Sequence, residues 1–137
     1  MYSNTAAPLT IETAGTYVPV NLNTTGPSAD TTVAANQITI NESGTYAIYY
    51  RLNVNATATE SQTLTAAVFN NGSIIAPSIT AINMTETTAG NYTGSLIAET
   101  IVALSAGDVL SLRLTSNTTN TVTIGSFGNA TLSVKQI

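Results

Sequence analysis

The chain contains no cysteine, no histidine and no tryptophan. Without cysteine there are no disulfide staples and no thiol catalysis. With histidine missing as well, neither a transition-metal centre nor a Ser-His-Asp triad can be assembled. Charge is almost as scarce: 7% of residues carry it, and the basic ones number three, Arg51, Arg113 and Lys135. A formal charge of −4 with so few cations leaves no patch able to neutralise several phosphates, so neither nucleic acid nor an anionic membrane is expected as a partner. No apolar run approaches the roughly 18 residues a membrane helix needs. Helix-period segments are missing too, and the opening MYSNTAAP lacks signal-peptide character.

What remains is a chain in which Thr is the commonest residue and 43% of positions are hydrophobic, a composition that favours an all-β fold. Its 137 residues suit one domain, 1–137, long enough to bury a core. Residues 1–7 are expected to be flexible or foreign to the natural chain.

Residues 37–55, QITINESGTYAIYYRLNVN, organise the rest. Polar and β-branched residues alternate over 37–40, Asn41-Glu42-Ser43-Gly44 supplies turn formers, and alternation resumes at Thr45, which reads as a hairpin. In its second strand Tyr46, Ile48, Tyr50, Leu52 and Val54 share one face at period two, and Ala47, Tyr49, Arg51, Asn53 and Asn55 share the other.

Around it, residues 8–11 and 17–22 are strand candidates, the second confined to an edge by Pro19. Residues 23–30, NTTGPSAD, form a loop. Asn71-Gly72 accepts positive φ at both central positions and makes residues 63–76 a type I′ hairpin. Residues 79–87 and 92–105 follow as strands, a turn at Ala106-Gly107-Asp108 sends the chain back along 109–115, and 130–137 closes it as a strand central to its sheet. About ten short strands separated by turn signals indicate a β-sandwich.

Two strands do not fit a sandwich with one inside. Residues 109–115 place Leu110, Leu112 and Leu114 on one face and Ser111, Arg113 and Thr115 on the other, so their outer face is expected in solvent. Residues 92–105 are apolar on both faces: Tyr92, Leu96, Ala98, Val102 and Leu104 at one parity, Ile97, Ile101 and Ala103 at the other with Glu99 among them. That pattern, and Tyr49 with Ala47 on the outer face of the first strand, asks for a second burial surface outside the monomer. A covering loop or a parity-swapping β-bulge is the alternative. Burying one Tyr removes about 150–250 Å² from water, several kcal/mol gross at about 25 cal/mol per Å² of apolar area.

The run Ile38-Thr-Ile-Asn-Glu-Ser-Gly44-Thr-Tyr46-Ala-Ile48 resembles the strand-turn-strand signature of the tumour-necrosis-factor and complement-type jelly roll. The Asn71-Gly72 hairpin, the segment Leu104-Ser-Ala-Gly107-Asp108-Val109-Leu110 and the short closing strand follow the same order. Low charge, absent Cys and Thr/Asn-rich loops look most similar to the C-terminal domains of bacterial collagen-like exosporium glycoproteins. The resemblance implies a two-sheet TNF-like jelly roll that assembles as a homotrimer through one sheet of each protomer. It implies an extracellular, spore-surface location and a collagen-like stalk upstream, although no Gly-X-Y repeat occurs in this chain. The interface expected from it comprises Ala47, Tyr49, Arg51, Ile97, Glu99, Ile101 and Ile137.

Chemistry beyond assembly finds little support. Glu12, Asp30, Glu42, Glu60, Glu86, Glu99 and Asp108 fall mostly in different turns, so a carboxylate pair for glycoside hydrolysis is not expected, and neither enzymatic activity nor a cofactor is. Asp30 or Asp108 is a conceivable calcium ligand, but no Asp-x-Asp cluster exists and the turn reading is stronger. Glu99 either pairs with Arg51 to fix register at an interface or sits at its rim. Asn-x-Ser/Thr sequons occur at Asn23, Asn41, Asn55, Asn71, Asn83, Asn91, Asn117 and Asn129. The expected role is a non-enzymatic trimerisation head of a surface filament; the rival is a trimeric receptor- or carbohydrate-binding head, which the absence of Trp disfavours.

Overall fold

Alternating sequence becomes strand nearly everywhere in the computed structural model, which describes residues 1–3, 7–57, 61–84, 91–118, 120–124 and 130–137. One sheet has five strands: β1 (Ala7–Ile11), β5 (Gly44–Thr57), β9 (Asn91–Leu104), β11 (Asn120–Ile124) and β12 (Ala130–Gln136). The other has seven: β2 (Val18–Pro19), β3 (Thr31–Ala34), β4 (Gln37–Ile40), β6 (Gln62–Asn70), β7 (Ser73–Ile74), β8 (Thr80–Met84) and β10 (Val109–Ser116). The chain crosses between sheets at β1–β2, β4–β5, β5–β6, β8–β9, β9–β10 and β10–β11, the connectivity of a jelly-roll sandwich.

β5 is the axis of the five-stranded sheet. On one side it pairs with β9 along its full length, from Gly44 opposite Leu104 to Thr57 opposite Asn91. On the other side β12 takes positions 46–52 and β11 takes 54–56. Its even-numbered residues, Tyr46 to Val54, are 0–1% exposed and meet Leu64, Ala66, Val68, Leu110, Leu112 and Leu114 of the opposing sheet in one core. The Tyr50 hydroxyl crosses this core to donate to the carbonyls of Ser78 (2.7 Å) and Ala66 (3.1 Å), so a polar tip is buried without losing its partners.

The Asn71-Gly72 hairpin forms as expected, with φ of 49° and 83°. β7 is short because a 3₁₀ turn, Ala76–Ser78, follows it, and the Ser78 Oγ takes over the ladder by accepting from the Val68 N–H at 2.8 Å.

Several expectations change. β4 and β5 are not a hairpin: β4 pairs with β3 and β10, and Asn41-Glu42-Ser43 is the corner where the chain passes to the other sheet. The turn after β9 is likewise a crossing, since β9 and β10 lie in different sheets. β3, in a stretch for which no element is expected, forms because Asn36 takes φ 64° and closes it onto β4. The Asn36 Oδ1 accepts from the Leu22 N–H at 2.7 Å, which anchors that turn.

The outer face of β10 is not open to solvent. Ser111 and Thr115 are buried, and the Arg113 guanidinium lies 4.5 Å over the Phe69 ring, which meets Tyr17 edge-on at 5.0 Å. Phe69 from the neighbouring strand β6 and Tyr17, just ahead of β2, close over positions whose own pattern reads as wet.

β12 is not central either; among the described residues its far side is paired with the start of the chain. Met1 and Leu132 exchange both backbone bonds (2.8 and 2.9 Å), and the Ser3 N–H donates to the Ala130 carbonyl at 2.9 Å. Met1 to Ser3 therefore run as a short antiparallel ribbon, within residues 1–7 that are expected to be flexible or foreign to the natural chain, with Tyr2 also bridged to Thr24.

Candidate self-assembly face

Because β5 pairs in constant register on both sides, its odd-numbered residues fall into rows with those of β9 and β12 on the sheet face turned away from the core. Ala103, Thr45 and Ile137 form one row, with the Ile137 N–H donating to the Thr45 carbonyl at 2.9 Å. Below it lie Ile101, Ala47 and Lys135, then Glu99, Tyr49 and Ser133, then Ile97, Arg51 and Thr131.

All seven residues expected at an interface are therefore brought onto one surface. The large apolar ones are open: Tyr49 is 36% exposed, Ile97 51%, Ile101 63% and Ile137 70%. The register of β9 on β5 is unbroken, so no bulge swaps its parity, and no described loop buries these side chains. Ala98 and Val102, at the other parity, pack against the core. Both faces of β9 are thus apolar in space as in sequence, but among the described residues one is covered by the core and the other is not.

Sequence reasoning missed Lys135 at this face, although parity places it there once β12 is paired with β5; Ala103, read at the same parity as Ile97 and Ile101 but not among the interface residues expected, lies there too. Two of the three cations of the chain, Arg51 and Lys135, lie in rows flanking Glu99. Glu99 registers opposite Tyr49 rather than opposite Arg51.

The other acidic residues do not gather. Among the described residues no three of His, Cys, Asp or Glu approach as a metal-holding group. Glu60 and Glu86 lie outside the described residues. Asp30 takes φ 56° in a turn where its carbonyl accepts from the Asn41 N–H. The Asp108 carboxylate accepts from the Ser105 N–H (2.9 Å), Asn70 Nδ2 (3.0 Å) and Asn71 Nδ2 (2.8 Å). The Ser105 N–H does most to hold its carboxyl below the ordinary range; partial burial works the other way, and the two amides add to the lowering. Asp108 is a staple joining the β9–β10 crossing to the β6–β7 hairpin.

No curated protein matches the sequence. Among solved structures, that of murine APRIL at pH 5.0 aligns with a TM-score of 0.49 and 9% identity, over 91% of this chain and 99% of that one. The family described as the BclA C-terminal domain matches residues 1–137, and the chain belongs to that family.

Proposed function

We propose that this protein is a non-enzymatic head that assembles as a homotrimer and so brings together the chains of a collagen-like filament on a spore or cell surface. The observation that carries this reading is the outer face of the five-stranded sheet, where Tyr49, Ile97 and Ile101 stand exposed on two strands paired with each other along their full length. No described part of the chain covers this face, and exposed apolar surface of this kind is characteristic of association sites. Its cations and Glu99 supply charge at defined positions, which favours one docking register over others. In this reading Ala47, Tyr49, Arg51, Ile97, Glu99, Ile101 and Ile137 lie at the contact between copies, and the domain spans 1–137.

Light scattering on the purified protein tests it directly, with three chain masses expected at micromolar concentration. Ile97→Asp and Ile101→Asp together should reduce that mass to one chain while the circular dichroism stays that of a β-sandwich. A wild-type protein that runs as a folded single copy would sink the reading.

A further inference from the structure

Asn71-Gly72 is the only Asn-Gly pair in the chain. Glycine carries no side chain to shield its backbone nitrogen from the preceding carboxamide. Asparagine is one of the heat-labile residues of proteins, and a following glycine leaves its carboxamide least shielded. Here the pair sits exposed at the tip of the β6–β7 hairpin.

The reactive group is clamped. Asn71 Nδ2 donates to Asp108 Oδ1 at 2.8 Å, its Oδ1 accepts from the Val109 N–H at 3.0 Å, and its own N–H donates to the Val109 carbonyl at 2.9 Å. Ring closure requires the Asn71 Cγ to swing onto the Gly72 nitrogen, and the carboxamide cannot do so while both of its ends are tied to the β9–β10 side.

We propose that Asn71 is a site of spontaneous deamidation and that the Asp108 carboxylate sets its rate by holding the carboxamide away from Gly72. The Gly72 nitrogen attacks the Asn71 Cγ and a C–N bond forms; the Cγ–Nδ2 bond breaks, and the Gly72 amide proton leaves with that nitrogen as ammonia. Water then adds to either carbonyl of the cyclic imide, opening it to aspartate or isoaspartate. No oxidant or reductant is involved.

The product undoes its own restraint. A carboxylate at position 71 faces Asp108 where an amide donor stood, and two like charges at hydrogen-bond distance repel. In the isoaspartate form the main chain also gains a carbon, which a two-residue type I′ turn does not accommodate. Deamidation would therefore separate the β6–β7 hairpin from the β9–β10 crossing, a change set by the age of the molecule.

The test is to age the purified protein at neutral pH and follow the peptide carrying residues 71 and 72 by mass spectrometry. The readouts are the one-dalton gain and the isoaspartate linkage, with urea-denatured chain as the unclamped reference. Position 71 should convert before any other asparagine. It should convert more slowly in the folded protein than in the denatured chain, and several-fold faster in folded Asp108→Ala than in wild type. As a check that does not depend on that variant folding, Asn71→Asp should melt below wild type at neutral pH, with the gap closing as the pH falls through the carboxylate range. Equal rates in wild type and folded Asp108→Ala, another asparagine converting first, or an Asn71→Asp that melts like wild type at neutral pH would overturn the proposal.

Discussion

The Tyr46 hydroxyl donates to the carbonyl of Glu42 at 2.7 Å, across the corner where the chain leaves β4 for β5. The ring is buried in the core while its oxygen reaches back four residues, so one side chain both fills the interior and fixes the crossing. Tyr46→Phe keeps the ring and removes the bond. The protein should remain folded but melt several degrees lower, as thermal unfolding followed by circular dichroism will show.

Asp108 gives stability a definite pH dependence. Its folded carboxyl titrates below the ordinary 3.8, chiefly through the Ser105 N–H. A depressed acid contributes stability that is fully present above the unfolded pKa and is lost as pH falls through the folded one. Urea midpoints should therefore drop as pH falls below about 3.8. In Asp108→Asn that acid-side slope should be shallower, and an unchanged slope would remove Asp108 from the account.

Ser78 replaces a strand. Its buried Oγ accepts from the Val68 N–H and donates to the Ile75 carbonyl at 2.6 Å, where a longer β7 would otherwise supply the ladder. Ser78→Ala leaves the Val68 N–H buried without that partner. The expected cost is about 1–3 kcal/mol, read from chemical denaturation.

The closing strand divides into two parts with different duties. Leu132 is fully buried in the core beside Tyr50 of β5, and Leu132→Ala should cost about 2–5 kcal/mol. Lys135, Gln136 and Ile137 are exposed at the end of the sheet. Removing residues 135–137 should leave a folded protein with a modestly lower melting temperature, but one that no longer assembles, because Lys135 and Ile137 lie on the candidate contact face. Loss of folding in this truncation would restore a central role for the strand end.

Parity was legible in the sequence because it is local. The inward set Tyr46 to Val54, the outward set Ala47, Tyr49 and Arg51, and the two-faced β9 all follow from alternation that no distant contact needs to supply. The Asn71-Gly72 turn was legible for the same reason, since positive φ is a property of the two residues themselves. Which strands become neighbours is not local. Residues 41–43 read as a hairpin turn because turn formers look alike whether the next strand folds back or crosses to another sheet; the pairing of β4 with β10 decides it. The cover over Ser111 comes from Phe69 and Tyr17, far away in sequence, so no pattern within β10 announces it. β3 lies just after the loop read at 23–30, in a stretch for which no element is expected, because its pairing is set when Asn36 turns it onto β4.

One alternating string of β5 residues serves the interior and the exterior at once. A slip of one position would turn Tyr46 and Tyr50 outward and bring Arg51 and Asn53 into the core, so the native alignment is strongly enforced. The outward rows inherit that enforcement and repeat at about 7 Å along the strand, two residues at a time. A partner arriving there meets a stiff, ready-made grid instead of loops that must first be ordered, and little conformational freedom remains to be surrendered on docking.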